Sequence, residues 1–313
     1  MSADLGLSVG VDLGGTKIES ALIDSHGRFV ARLRRSTPQA YAATVSAIAG
    51  LVAEITQGRN LDLIPVGVGV PGSENPETGL IRNANSTWLN GKPFRRDLQA
   101  ALARPVRLAN DANCFALSEA RDGAGAGARV VFGVILGSGC GGGVVVNGGL
   151  LEGAARVAGE WGHLSLPWPC QQEVRDASVC WCGRRGCLET WISGPAFARW
   201  ASEALGEALG PETIARRAAS GDAAARTCFE RLVDRIARGL AMIVAVIDPD
   251  MIVLGGGLSN IGGIAEAVEA RLKAYAFGDM MATRVVQNRF GDSSGVRGAA
   301  WLWSSPPSQE PPS

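Results

Sequence analysis

A carboxylate at the end of a strand, in a chain with several glycine loops, is the feature of this sequence best suited to chemistry. In Asn110-Asp111-Ala112-Asn113 a short apolar stretch, Val106 to Ala109, runs into the start of a helix that extends to about Ala120. Asp111 can serve there simply as a helix N-cap, a common use of aspartate. It can equally accept the proton of a hydroxyl that attacks a phosphoryl group, with Asn110 hydrogen-bonding the neighbouring hydroxyls. Three glycine loops supply the matching half of such a reaction. In Asp12-Leu13-Gly14-Gly15-Thr16-Lys17 the turn leaves backbone N–H groups free, and Gly14 and Gly15 let phosphate oxygens approach without a Cβ in the way. Asp12 can hold Mg²⁺ through water, while the Thr16 hydroxyl and Lys17 ammonium suit the β- and γ-phosphate oxygens of ATP. The same residues also read as a plain β-hairpin, since neither GxGxxG nor GxxxxGK[ST] occurs. The second loop runs Gly137-Ser138-Gly139-Cys140-Gly141-Gly142-Gly143, and the third is Gly255-Gly256-Gly257. The third is expected between a strand and a helix N-terminus, where an adenosine phosphate or ribose fits.

A second constellation is suited to a metal. Gly159-Glu160-Trp161-Gly162-His163 holds one of the two histidines, and Cys180-Trp181-Cys182-Gly183-Arg184-Arg185-Gly186-Cys187 follows seventeen residues later. His163, Cys180, Cys182 and Cys187 make a Cys₃His set, the four N/S ligands that zinc favours, with no position left open for water. Such a metal is structural. The alternative is a set of ordinary buried thiols.

The elements that must carry these residues follow from apolar periodicity. Leu7 to Leu13, Ile18 to Ile23 and Phe29 to Leu33 alternate with turns and predict a β-meander. A helix is predicted from about Tyr41 to Ile55, and a buried strand from Pro65 to Val70 that stops at Pro71-Gly72. Gly133-Val134-Ile135-Leu136-Gly137-Ser138-Gly139 repeats the pattern of Gly10-Val11-Asp12-Leu13-Gly14-Gly15-Thr16, which points to an internal duplication. Ala196 to Ile247 reads as mostly helical and Met251 to Leu254 as a strand. The expected division is residues 1–118, completed by a C-terminal helix at 294–303, and residues 119–293 with the zinc loop at 163–187. The Pro- and Ser-rich tail, 304–313, is expected to be disordered.

Composition removes whole classes of partner. The 313 residues exceed one ordinary core and suit two domains facing each other across a cleft. Thirty basic residues balance thirty acidic ones without any long like-charge run, so neither nucleic acid nor an anionic membrane is an expected partner. Ile236 to Ile247 is interrupted by Arg238 and Gly239 and falls short of the ~20 residues of a membrane span. No secretory pattern opens the chain, so the expected location is the cytoplasm, where crowded cysteines bind metal before they form disulfides.

Taken together, Asp12 to Lys17, Val68 to Gly72, Asn110 to Asn113, Gly159 to His163, Cys180 to Cys187 with Glu189, and Asp248 through Gly257 resemble the ROK family of sugar kinases and repressors, over nearly the whole chain to Trp303. The resemblance implies an actin-like ATPase (ribonuclease H-like) fold, with two similar α/β domains around a cleft. It implies Asp111 as general base, sugar hydroxyls held by Asn110, Glu160, His163 and Glu189, and His163 also bound to zinc. It implies a homodimer as well. Asn83 to Phe94 and Gly291 to Trp303 look most like bacterial fructokinases of the manno(fructo)kinase type, with N-acetylglucosamine kinases and glucokinases as the alternatives. Fructose phosphorylated at its 6-hydroxyl is therefore the expected reaction, with Trp88 as an apolar wall and Asn85 or Asn90 as further hydrogen-bonding groups. Ser138 stands where the family usually has Thr, and Cys140 where a small apolar residue is common. ROK repressors carry a helix-turn-helix ahead of the phosphate loop. Here that loop begins at Gly10, and DNA binding is not expected.

Overall fold

Alternating burial builds the first strands: Val9, Val11 and Leu13 of β1 (Ser8–Leu13) point into a core that β2 (Lys17–Ile23) shares through Ile18 and Leu22. β3 (Phe29–Ser36) follows, then α1 (Tyr41–Thr56), whose buried Ile48, Leu51, Val52 and Ile55 recur at helical spacing and cover the same core. Next come β4 (Val66–Val70), the short β5 (Ser73–Glu74) and β6 (Ile81–Arg82), α2 (Phe94–Leu102), β7 (Val106–Asn110) and α3 (Asp111–Asp122). The second half opens with β8 (Val130–Leu136), β9 (Cys140–Val146) and β10 (Gly149–Leu150). Then follow α4 (Gln171–Asp176), α5 (Glu189–Ile192), α6 (Gly194–Leu205), α7 (Pro211–Ala219), α8 (Ala223–Ile247), β11 (Met251–Gly255), α9 (Ile264–Leu272), β12 (Arg284–Gln287) and α10 (Ser294–Trp301). This computed structural model describes residues 6–59, 64–278 and 281–304, so most of the Pro-rich tail lies outside the described residues.

Two five-stranded sheets have matching orders, β3-β2-β1-β4-β7 and β10-β9-β8-β11-β12. In the first, β1, β2 and β3 are antiparallel and β1, β4 and β7 parallel; in the second, β9 and β10 are antiparallel and β8, β11 and β12 parallel. The repeated Gly-Val-x-Leu-Gly pattern thus opens the same position in each sheet.

The chain forms two compact units, Met1–Ala126 with Gly143–Ala158 and Asp292–Ser313, and Gly127–Gly142 with Gly159–Gly291. The sequence expectation is residues 1–118 with 294–303, and 119–293; these units instead divide after Ala126, count Gly143–Ala158 with the first, and take the C-terminal segment from Asp292. β9 starts in one unit and ends in the other, and β10 stays with the first.

Within the first unit, α10 lies against β1, β4 and α3 at backbone distance. A Cβ on Gly10 would fall 2.2 Å from the Val296 carbonyl oxygen, one on Gly67 1.8 Å from that of Ala299, and one on Gly298 1.7 Å from that of Cys114. Gly298 tests this packing because helix propensity alone favours alanine there by about 1 kcal/mol. Overpacking by a buried carbon typically costs ~1–3 kcal/mol. Gly298→Ala is therefore expected to lower the thermal midpoint; an unchanged or higher midpoint would contradict the close approach.

In the second unit α8 is the support. Asp222 caps it by accepting from Ala224 and Ala225 N–H at 3.0 and 3.1 Å. Its buried Arg235 and Arg238 grip Glu173 of α4, and Arg238 also donates to the Pro167 and Trp168 carbonyls at 3.0 Å. Burial would raise the Glu173 carboxyl, but its hydrogen bonds from Arg238 and Arg235 hold it at about 2. Trp161 and Leu188 fill the space a side chain on Gly239 would need, 2.9 and 3.0 Å from its Cβ position. α8 thereby carries both the Gly159–His163 turn and the cysteine loop.

Candidate active site

In the first unit the strand-to-helix junction places the carboxylate. Asn110 ends β7 and is itself the N-cap of α3: its Oδ1 accepts from Ala112 N–H at 2.9 Å and its Nδ2 donates to the Gly72 carbonyl at 3.2 Å. The capping role open to Asp111 from sequence thus falls to Asn110, whose side chain is occupied at both ends. Asp111 is the first residue of the helix, accepts from Ala112 N–H at 2.8 Å and remains open to water. Protein crowding around it still raises its carboxyl above the usual range by loss of hydration, against the pull of the Ala112 N–H and Asn110.

Asp12 pairs with Glu19 across the hairpin and with Gly69 of β4. Burial first, then the charges of Asp111 and Glu19, push its carboxyl up to about 7, with Lys17 and Arg34 pulling the other way. Glu19 is neutralised by Arg32 and Arg34. A side chain on Gly295, in the first turn of α10, would lie 2.7 Å from Asp12 Oδ2. A buried acid crowded by a second one is the environment a divalent cation relieves. The Gly14–Lys17 turn is closed by Gly14 N–H donating to the Lys17 carbonyl at 2.9 Å, and Gly15 and Thr16 are exposed. The Lys17 Nζ pairs with the exposed Asp292, at 3.5 Å.

The Asn83–Phe94 loop is tied down from within. Asn90 braces it, donating to the Ala84 carbonyl at 2.9 Å and accepting from Ala84 N–H at 3.0 Å, and Trp88 packs against the first core. Asn90 is otherwise exposed and Trp88 half-buried. Asn85 is exposed. Ser86 is buried with its Oγ unpartnered, 3.9 Å from where a Cβ on Gly15 would stand.

In the second unit the other two glycine loops adjoin. Gly256 has φ +79° and ψ 174°, a conformation essentially reserved for glycine, and a Cβ there would strike the Leu136 backbone at 2.6 Å. Gly194 N–H donates to the Gly137 carbonyl at 2.8 Å. Gly257 opens a 3₁₀ turn, Gly257–Asn260, and α9 starts only at Ile264, so the expected helix N-terminus directly behind this loop is absent. Ser138 is exposed, and the Gly141 carbonyl accepts from Trp161 Nε1 at 2.9 Å. Glu189, expected among the sugar ligands, binds the second loop: its carboxylate accepts from Cys140 N–H at 3.0 Å and from Trp181 Nε1 at 2.8 Å. It lies against Gly139, where a Cβ would come within 2.7 Å. Glu160 precedes a 3₁₀ turn, Trp161–His163.

The four metal-type side chains converge. One ligand atom each from His163, Cys180, Cys182 and Cys187 lies within 4.8 Å of all the others. His163 Nδ1 is 3.6 Å from Cys180 Sγ, and Cys182 Sγ is 3.6 Å from Cys187 Sγ. A tetrahedron with ~2.3 Å zinc–sulfur bonds has edges of about 3.7 Å, so the donor set fits the ion. Cys182 is pulled down to about 6 by the Arg184 backbone N–H and side chain, whereas burial pushes Cys187 up to about 12.

With this geometry in place, comparison with known proteins is direct. Residues 8–305 match the ROK family. N-acetyl-D-glucosamine kinase of Salmonella heidelberg strain SL476 is 40% identical over 297 residues, 94% of this chain and 98% of that protein. A ROK hexokinase from Thermus thermophilus superposes with a TM-score of 0.82 at 32% identity, covering 94% of this chain and 96% of that one. A ROK family glucokinase from Streptomyces griseus, solved with glucose and AMPPNP, gives 0.78 at 29% identity, covering 95% and 99%. The α/β fold is thus the actin-like one expected from the sequence.

Proposed function

Because this chain belongs to the ROK family, we propose that it is an ATP-dependent hexose kinase in which Asp111 takes the proton of the sugar 6-hydroxyl. The observation that carries this reading is the Asp111 carboxylate at the start of α3, open to water and raised above its ordinary pKa, in the same unit as the Asp12 glycine turn. As the proton passes to Asp111, the hydroxyl oxygen bonds to the γ-phosphorus, the bond from that phosphorus to the β-bridging oxygen breaks, and ADP leaves. Thr16, Lys17 and the glycines of the three loops are the groups suited to the phosphates, including Gly14, Gly15, Gly137, Ser138, Gly139, Gly141, Gly256 and Gly257. A magnesium ion brought with ATP would be held at Asp12 and would neutralise phosphate charge.

Glu160 and the outer nitrogen of His163 are proposed sugar ligands, with Asn85, Asn110 and Glu189 contributing what their structural bonds leave free. His163 Nδ1 with Cys180, Cys182 and Cys187 is proposed to hold one zinc, a closed set that supports the loop and activates no water. No described helix is long and apolar enough to cross a membrane. We read the protein as a cytoplasmic homodimer that binds neither nucleic acid nor membrane.

N-acetylglucosamine is the acceptor supported by relatives 40% identical over 94% of the chain. It displaces fructose as first choice. Fructose stays as the second reading because the Asn83–Phe94 and Gly291–Trp303 segments resemble the fructokinase type. A site built around particular hydroxyl or amide groups rejects sugars that leave its buried polar groups unpaired, so a coupled ADP assay should separate these acceptors clearly. Over N-acetylglucosamine, fructose, mannose, glucose and N-acetylmannosamine, the highest kcat/KM is expected for N-acetylglucosamine. A higher value for fructose would transfer the assignment, and no ADP release with any hexose would remove the kinase reading.

A further inference from the structure

The small β5–β6 sheet belongs to neither five-stranded sheet, yet it touches three parts of the first unit at once. Gly72, just before it, has φ +81°, and a Cβ there would stand 2.4 Å from the Arg82 carbonyl and 2.7 Å from Ala84 N, while its own carbonyl accepts from Asn110. Ala84 in turn is the residue to which Asn90 ties the Asn83–Asn90 loop. The third contact is with the segment after β10. Arg82 donates to the Ala155 carbonyl, and the Glu74 carboxylate accepts from Arg156 Nη1 and, at 2.8 Å, from Arg95 Nε.

The Glu74 side chain is only 3% exposed, against 45% and 32% for those of Arg95 and Arg156. A carboxylate this deep is retained only with its partners in place. Arg156 adds a second peculiarity: its φ of +52° is unfavourable for a residue with a long side chain. Strained backbone of this kind persists where surrounding contacts over-determine it, and such positions gather at functional sites.

We infer that Glu74 is a positioning residue for the sugar, clamping Arg156 and Arg95 so that the β5–β6 sheet holds the Gly72 turn in one place. Through the Gly72 turn the same clamp shares its mount with Asn110 and the Asn83–Asn90 loop. This inference rests on the sugar-kinase reading.

Arg156→Ala is the cleaner test, since Arg156 is partly exposed and its loss leaves Arg95 on Glu74. KM for the sugar and its calorimetric Kd, measured without nucleotide, should both rise about tenfold, below the ~10²-fold that a misplacement of about 1 Å can bring. The KM for ATP and the thermal midpoint should stay near the parent values. Arg156→Lys keeps the charge but not the forked geometry and should recover part of the loss. Glu74→Gln should move sugar affinity in the same direction, and adding it to Arg156→Ala should worsen sugar binding little further. Parent-like sugar Kd in Arg156→Ala, or ATP and sugar KM rising in step, would overturn the clamp. A parent protein that binds sugar without releasing ADP would remove the kinase reading instead, and the Kd series would still decide the clamp.

Discussion

Asp111→Asn is expected to lower kcat by ~10²–10⁴-fold while leaving sugar and ATP binding close to the parent values. The substitution keeps the size of the side chain and its bond from the Ala112 N–H. It removes only the ability to take a proton. Because Asn110, not Asp111, caps α3, the helix should not fray. The stability effect has a definite sign. A carboxyl whose folded pKa is raised by lost hydration opposes folding at pH values above its ordinary range, so removing the charge should leave the thermal midpoint at neutral pH unchanged or higher. A variant that is inactive yet no less stable is the signature of a residue kept for chemistry. The raised pKa should also place the acid limb of the parent kcat/KM profile above the titration range of an ordinary aspartate. Parent-like kcat in the variant, or a large loss of thermal stability accounting for the inactivity, would remove Asp111 as base.

Much of this fold could be read from residue order because burial and backbone need speak locally. Val9, Val11 and Leu13 alternate, Ile48, Leu51, Val52 and Ile55 recur at helical spacing, and both patterns arise from one-sided cores. The cysteine cluster was legible for the same reason, three of its four ligands lying within eight residues. What escaped depends on backbone angles or distant partners. In Asn110-Asp111 either residue can cap, and only the extended φ and ψ of Asn110, −62° and 149°, decide between them. Trp88 in a loop suits a ligand wall or a core equally until its neighbours are known. Asn90 gives no sign in sequence that Ala84 takes both its donor and its acceptor. Glu74 and Arg156 are 82 positions apart, and two charged residues among many do not announce a pair. The unit boundary inside β9 was hidden because it falls between Gly142 and Gly143, within a glycine run, Gly141-Gly142-Gly143, that continues as one strand without any residue marking a break.

Purified protein is expected to contain one zinc ion per chain, and removing it should disable sugar binding before it disturbs nucleotide binding. The reason lies in what the cluster holds. The Cys187 Sγ approaches the His163 carbonyl at 3.6 Å, Leu188 N–H donates to the Leu164 carbonyl at 2.8 Å, and Leu166 N–H to that of Gly186 at 3.0 Å. These bonds join two stretches of chain whose outer part is largely exposed, with Trp181 65%, Val179 64% and Leu164 45% exposed. A loop so exposed has little hydrophobic stabilisation, and the ~10–16 kcal/mol of apparent free energy with which zinc binds small Cys/His sites is ample to order it. Loss of the ion would release His163 and, through Trp181, the support of Glu189. Chelation should therefore raise sugar KM about 10–100-fold, as loss of metal-site support commonly does, while the KM for ATP changes far less. The thiols of Cys180, Cys182 and Cys187 should become titratable together, and restored zinc should reverse both effects. Cys182→Ser removes one ligand from the exposed side of the cluster and should reproduce the sugar defect without chelator. Metal-free protein with parent sugar affinity, and with these three thiols already reactive as purified, would mean that the cluster is a set of free cysteines.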